Sequence, residues 1–197
     1  MLLYRFFRAL FRILYRVVYR WEIIGLHHIP EGKGVILCSN HIHNLDPPFI
    51  ASPIKRQVFF MAKEELFGIP IISFLITRFG TFPVKRGQAD RASLKRSLQI
   101  LKEGKILGIF PEGTRSKTGQ LGKPLPGAAL FALKSDAAVI PVAVIGQWRP
   151  FRRMRVVYGQ PIELTIYRQN KITTESTNEA SRLIMEEIQK LLDQYAL

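Results

Sequence analysis

The sequence predicts one α/β domain, a mostly parallel central sheet flanked by helices, with a basic amphipathic helix ahead of it. Three observations carry that prediction. Short apolar runs alternate with helical stretches along most of the chain, the pattern of strand-helix-strand units. At 197 residues the chain suffices for one such domain and is too short for two of ordinary size. Composition excludes the other classes: 47% hydrophobic and 22% charged residues, without repeats or low-complexity stretches, do not make a disordered, collagenous or repeat protein.

The first element is a helix over residues 1 to 20. It carries Arg5, Arg8, Arg12, Arg16 and Arg20 and no acid. At about 100° per residue these arginines fall within a sector of roughly 120°. Leu, Phe, Tyr, Val and Ile make up most of the remainder. Such a helix either docks on its own domain with a solvated arginine face, or lies in a lipid interface with aromatics in the acyl boundary and arginines against phosphates. The second is the expectation, since each basic residue near an anionic leaflet contributes about 1 kcal/mol. Residues 1–20 are therefore expected to form a membrane-associated interface helix and residues 21–197 the folded domain.

Strands are expected at Trp21 to Gly25, Gly34 to Ser39, Gln57 to Ala62, Lys105 to Phe110, Ala138 to Val144 and Met154 to Tyr158. Helices are expected at Pro47 to Ile54, Pro70 to Arg78, Ala89 to Lys102 and Gly127 to Ser135. A closing helix, about Glu175 to Tyr195, has Leu183, Ile184, Ile188, Leu191 and Leu192 at helical spacing, with Ser176 and Glu179 as its capping-box pattern. In the strand around Pro141 the proline reads as a break.

Twenty-nine Lys and Arg against 15 Asp and Glu give a net charge of +14, which draws the protein to polyanions: nucleic acid, an anionic membrane, or acidic substrates and partners. Arg149, Arg152, Arg153 and Arg155 concentrate that charge late in the chain. They can face lipid phosphates, an acidic carrier protein or plain solvent. The single cysteine, Cys38, excludes an internal disulfide framework and fits a reducing compartment. The longest uncharged apolar stretch, Leu66 to Thr77, is 12 residues and is interrupted by Gly68 and Pro70. That is short of the roughly 20 residues a bilayer span needs. Leu66, Phe67, Ile71, Ile72, Phe74 and Leu75 within it fit a groove for an acyl chain, an interface or the core. Because arginines run through the first 20 residues, these lack the layout of a secretory signal.

Two segments carry chemistry, each just after an apolar strand, where sites gather in α/β sheets. The first is Ser39-Asn40-His41-Ile42-His43-Asn44-Leu45-Asp46-Pro47-Pro48. On a regular helix the five-residue offset sets His41 and Asp46 about 140° apart, so contact between them requires a turn. Asp46 then suits the cap of a helix opened by the two prolines. A carboxylate on one imidazole nitrogen leaves the other free to take a proton. No Gly-x-Ser-x-Gly elbow completes a triad, which makes a hydroxyl of the substrate a candidate for activation. Other readings are a plain cap with a loop histidine, a metal site of His41, His43 and Asp46 that has no further ligand cluster, and Cys38 as nucleophile. The apolar surroundings of Cys38 favour a small core residue.

The second segment is Phe110-Pro111-Glu112-Gly113-Thr114-Arg115-Ser116. Here glycine permits close backbone approach, Thr114 and Ser116 offer hydroxyls and Arg115 can grip a phosphate through paired bonds. An ordinary polar loop is the alternative. Gly80-Thr81-Phe82-Pro83-Val84-Lys85-Arg86-Gly87 adds two cations after another short apolar run.

In this order the segments resemble the glycerolipid acyltransferase family. His41 and Asp46 match its His-x4-Asp block, Gly80 to Arg86 its second block, Phe110 to Arg115 its third, and Pro141 its proline-containing strand. The resemblance spans Cys38 to Val144, more than half of the chain. It implies transfer of a fatty acyl group from a thioester, on coenzyme A or acyl carrier protein, to a lipid hydroxyl, with no cofactor, metal or covalent enzyme intermediate. It also implies His41 as general base steadied by Asp46, and Arg86, Glu112, Gly113, Thr114 and Arg115 on the phosphate side of the acceptor. By charge Glu112 opposes a phosphate, so its expected task is to orient Arg115, a backbone amide or a substrate hydroxyl. The expected acceptor is lysophosphatidic acid, at an anionic membrane facing the cytoplasm, and rivals are another lyso-lipid or amino-lipid. A nucleic-acid module rests on charge alone, without a recognition motif. An inert anchor leaves both blocks without a purpose.

Overall fold

The computed structural model describes residues 2–85, 90–169 and 171–197. In chain order these are α1 (Leu2–Val18), β1 (Arg20–Ile24), β2 (Val35–Ser39), α2 (Asp46–Ala51), β3 (Val58–Lys63), α3 (Pro70–Arg78) and β4 (Phe82–Val84). There follow α4 (Arg91–Lys102), β5 (Ile106–Ile109), α5 (Gly127–Leu133), β6 (Ala138–Gly146), β7 (Arg153–Tyr158), α6 (Thr165–Gln169) and α7 (Thr174–Gln194). Seven strands form one sheet in the order β1-β7-β6-β2-β5-β3-β4. Every neighbouring pair is parallel except β6 and β7, whose connection is too short for a crossover and returns the chain antiparallel.

The central strands are apolar along their whole length because both faces are covered. Alternate residues part to opposite sides. Val35, Leu37, Ile106 and Ile140 pack with α2 and with Tyr15 of α1, whereas Ile36, Cys38, Leu107 and Val139 pack against α4, α5 and α7. Gly108 of β5 is needed where the Phe60 ring of β3 crosses it, since a Cβ there would come within 2.2 Å of that ring.

Several expectations are corrected in detail. Helix α1 ends at Val18, and Arg20 belongs to β1, so four of the five arginines share the helix. The expected break at Pro141 does not occur. Strand β6 runs unbroken through it, because the paired register with β7 begins at Val142 opposite Tyr158 and the Pro141 carbonyl still accepts the Gly159 amide at 2.8 Å. The short strand β4 was not expected from three residues centred on a proline, and it is tolerated at the sheet edge. The capping box of α7 uses Thr173 and Ser176 instead of Ser176 and Glu179: the Thr173 side chain accepts from the Ser176 amide and the Ser176 hydroxyl from the Thr173 amide. The run Leu66 to Leu75 is not core, because Leu66, Ile71, Ile72 and Phe74 are exposed and α3 buries no residue.

Helix α1 has three sides. Tyr4 and Tyr15 are buried against the domain. Arg5, Arg8, Arg12 and Arg16 form a stripe beside them, with Arg8 Nη1 donating to the Ile54 carbonyl at 2.7 Å. Leu2, Phe6, Leu10, Ile13, Leu14 and Val17 are all exposed, and at about 100° per residue they occupy a sector of roughly 120°. No helix among the described residues is long and apolar enough to cross a membrane.

Candidate active site

Strands β2 and β5 are parallel neighbours, so the loops that follow their carboxyl ends lie side by side. That juxtaposition brings the two chemistry-bearing segments together. Beyond β2 the chain turns back on itself and sets His41 Nδ1 at 2.8 Å from Asp46 Oδ2. The same oxygen accepts the backbone amides of Ile42 and His43, each at 2.7 Å. The other oxygen, Oδ1, accepts the indole N–H of Trp148 at 3.0 Å.

Asp46 is fully buried, and the two amides and the indole around it can only donate, so both of its oxygens accept. With the carboxylate as acceptor, Nδ1 of His41 donates to it and Nε2 is the ring nitrogen that points away from Asp46. The side chain of His41 is 14% exposed, which leaves a narrow opening to the ring. Asp46 was expected to cap α2. It is instead the first helical residue behind Leu45, and its carboxylate reaches back to the amides of the turn before it. Short acidic side chains bond nearby backbone in this way, and here that competition with capping shapes the turn.

The Phe110 loop holds His41 from the other side. The imidazole stacks on the Phe110 ring at 3.9 Å between centroids and 16° between planes. Glu112 is buried and accepts the His41 amide at 3.2 Å through Oε1 and the Gly122 amide at 2.8 Å through Oε2. The Ser116 amide in turn donates to the His41 carbonyl at 2.7 Å. Both main-chain polar groups of His41 are thus tied to this loop, and of the three tasks foreseen for Glu112 its bonds match the backbone-amide one. Gly113 has φ 67°, and a Cβ there would meet Leu125 at 2.3 Å, so the turn requires glycine.

Thr114 and Arg115 are exposed, one and two residues before the Ser116 amide that holds His41, and Arg115 makes no ion pair among the described residues. Arg86 lies outside the described residues. Lys85 is exposed with its ammonium 3.9 Å from Glu64, and its amide donates to Asp90. That bond, with the Ser93 amide, holds the Asp90 carboxyl below the usual carboxylate range. Of the late arginines, Arg153 and Arg155 are paired with Glu22.

Cys38 is fully buried, and desolvation pushes its thiol up to about 12, so it stays protonated at neutral pH. The described residues hold no group of three or more His, Cys, Asp or Glu placed for a metal ion. His43 lies stacked on Trp148 at 5.1 Å, with Nδ1 accepting the Leu45 amide.

Two residues of this site were not singled out in the sequence. Trp148 is one, since nothing local signals a bond to a carboxylate 102 positions away. Asn40 is the other. Its buried amide donates to the Val144 carbonyl at 2.9 Å and accepts the Val144 amide at 2.8 Å, docking the start of the His41 turn on β6. Asn40→Ala leaves both Val144 groups buried without partners, at about 1–3 kcal/mol each. A lowered melting temperature is the expected result, with a loss of about 2–5 kcal/mol in chemical unfolding.

The family description Acyltransferase matches residues 20–145, more than half of the chain. The chloroplastic 1-acyl-sn-glycerol-3-phosphate acyltransferase of Arabidopsis thaliana is 37% identical over 130 residues, covering 64% of this chain and 36% of that protein. A Bacillus subtilis protein of the same name is 28% identical over 182 residues, covering 88% of this chain and 90% of the relative. The chain spans about a third to a half of the plant relative and of one from Borreliella burgdorferi, at 36% and 50% of their lengths. Among solved structures, the 1-acyl-sn-glycerophosphate acyltransferase PlsC of Thermotoga maritima superposes with a TM-score of 0.66 at 24% identity, covering 87% of this chain and 71% of that one. At that identity the likeness speaks for the fold.

Proposed function

The chain belongs to the Acyltransferase family, and on that footing we propose that it moves a fatty acyl group from a thioester to the hydroxyl of 1-acylglycerol-3-phosphate (lysophosphatidic acid), giving phosphatidic acid. The observation that carries this reading is the His41–Asp46 pair, with Nδ1 bonded to the carboxylate and the partly exposed ring stacked on Phe110 beside the Phe110 to Ser116 loop. The names of the relatives supply the acceptor.

In the proposed reaction Nε2 of His41 takes the proton of the acceptor hydroxyl as its oxygen bonds to the thioester carbonyl carbon. Asp46 stabilises the imidazolium that forms. Collapse of the tetrahedral intermediate breaks the carbon–sulfur bond, and the imidazolium returns its proton to the departing sulfur. A thiol with an ordinary pKa near 8.5 leaves readily, so activation of the alcohol is the harder task. Atoms balance between thioester and alcohol without a cofactor or metal. Coenzyme A or acyl carrier protein would carry the acyl group.

Arg115, Thr114 and the Gly113 turn, together with Arg86, form the proposed phosphate side, while Glu112 acts through the backbone amides it holds. Arg115→Ala should raise KM for 1-acylglycerol-3-phosphate about tenfold or more, as loss of a bond to a charged group does. It should leave turnover of a phosphate-free monoacylglycerol in place. An equal effect on both acceptors would remove Arg115 from the phosphate clamp.

Residues 1–20 are proposed as the membrane-interface segment of a peripheral or monotopic enzyme facing the cytoplasm, with residues 21–197 as the catalytic domain. The exposed apolar side of α1 would enter the acyl boundary, and its arginine stripe would lie against anionic headgroups. Exposed Ile71, Ile72 and Phe74 of α3 supply a second apolar surface. Phe79, the residue after α3, packs on Phe7 of α1 at 5.1 Å.

A further inference from the structure

The two oxygens of Asp46 are held by different parts of the chain. Oδ2 serves His41 and the local amides, whereas Oδ1 is reached from the connection between β6 and β7 by the indole N–H of Trp148 at 3.0 Å. A carboxylate fixed at one oxygen only is free to swing about its Cβ–Cγ bond. A donor on the second oxygen sets the plane of the group and hence the line along which Oδ2 meets His41.

The indole is itself clamped. It stacks on His43 at 5.1 Å and meets Phe49 edge-on at 5.1 Å, Tyr19 at 5.3 Å and Tyr15 of α1 at 5.9 Å. Tyr15 is fully buried, and its hydroxyl donates to the carbonyl of Leu45, the residue before Asp46, at 3.3 Å. Burial raises its phenol well above the ordinary range, so that hydroxyl remains a donor at working pH.

We propose that Trp148 is a positioning residue for the His41–Asp46 pair and that Tyr15 seats it, so that the N-terminal helix α1 helps to hold the proposed catalytic carboxylate in place. The inference rests on the reading of His41 and Asp46 as the catalytic pair. It gives α1 a task beyond the membrane: the helix that would meet lipid with one side braces the reacting group with the other.

Trp148→Phe keeps a ring in the cluster and removes only the N–H. Turnover should fall about tenfold, equivalent to about 1.4 kcal/mol. KM for both the acyl thioester and the acceptor should stay within about twofold, the pattern of a group felt only in the transition state. Tyr15→Phe, which removes the hydroxyl on Leu45, should lower turnover about two- to threefold with KM unchanged, less than a full hydrogen bond because the ring still seats Trp148.

A readout independent of activity is the indole N–H resonance of the full chain, which has two tryptophans, Trp21 and Trp148. Trp21→Phe assigns the pair. Asp46→Asn should shift the Trp148 indole proton upfield, because its partner loses charge, and should move that of Trp21 less. An unmoved Trp148 signal, or Trp148→Phe with wild-type turnover, overturns the proposal, and this holds even if Trp148→Phe folds poorly, since the resonance is read without it. His41→Ala separates the two readings. If it abolishes transfer while Trp148→Phe keeps wild-type turnover, only the positioning role falls; if it retains transfer, the catalytic pair falls and the positioning role with it.

Discussion

His41→Ala lowers acyl transfer by about 10²- to 10⁴-fold, the usual contribution of a general base, and leaves the fold in place. The second half of this expectation follows from the atoms involved. The loop around His41 is held through main-chain bonds, with its amide on Glu112 and its carbonyl on the Ser116 amide, and alanine keeps both. The lost imidazole stacks on Phe110 at the edge of the packed cluster and is partly open to solvent, and Asp46 keeps the Ile42, His43 and Trp148 donors. Circular dichroism and sedimentation with vesicles should therefore match the unaltered protein while product formation collapses. Retained turnover would remove His41 from the mechanism.

Phe6→Glu combined with Ile13→Glu releases the protein from anionic vesicles without unfolding it. Both side chains stand on the outer stripe of α1, 61% and 62% exposed, so neither substitution disturbs the domain. In a lipid interface each large apolar side chain contributes about 1.5–3 kcal/mol. Losing two should reduce partitioning by about 10²- to 10⁴-fold. The arginine contribution is electrostatic, so residual binding should weaken further as salt rises. Deleting residues 1–20 is the poorer experiment, because Tyr15 is fully buried in the core and its removal would damage the domain as well. Unchanged sedimentation of the double variant would place the membrane contact elsewhere.

Much of this architecture was legible in the sequence because it is written in local patterns. Continuous apolar runs such as Val35 to Cys38 and Ile106 to Ile109 announce strands covered on both faces, and the structure has both. The helices expected to begin at Pro70 and Gly127 begin there. What stayed hidden depends on partners distant in sequence. The bond from Trp148 to Asp46 and the pairing of Asn40 with Val144 each join residues more than 100 positions apart, and neither side chain differs locally from an ordinary loop residue. The edge strand β4 escaped because Phe82–Val84 is three residues with a proline at its centre, and its pairing with β3 is set by tertiary contact.

Exposure was hidden for a related reason. Core was one of three readings open for Ile71, Ile72 and Phe74, and among the described residues α3 leaves all three exposed. Within the site, the meeting of His41 with Asp46 could be foreseen only as a turn of unspecified form. The structure supplies that form: the Asp46 carboxylate gathers the amides of Ile42 and His43 and so bends the chain toward the ring. The phosphate side rests more on motif matching, since Arg86 lies outside the described residues and Arg115 extends from an exposed loop.

The most direct test of the account is the product itself. The purified chain is incubated on anionic vesicles with an isotope-labelled acyl thioester, as coenzyme A ester or on acyl carrier protein, and with 1-acylglycerol-3-phosphate; lipids are then read by mass spectrometry. The account predicts phosphatidic acid bearing the labelled chain, one free thiol released per product, and no labelled acyl group on the protein. Absence of that lipid with both donors, or release of the label only as free fatty acid, would contradict it.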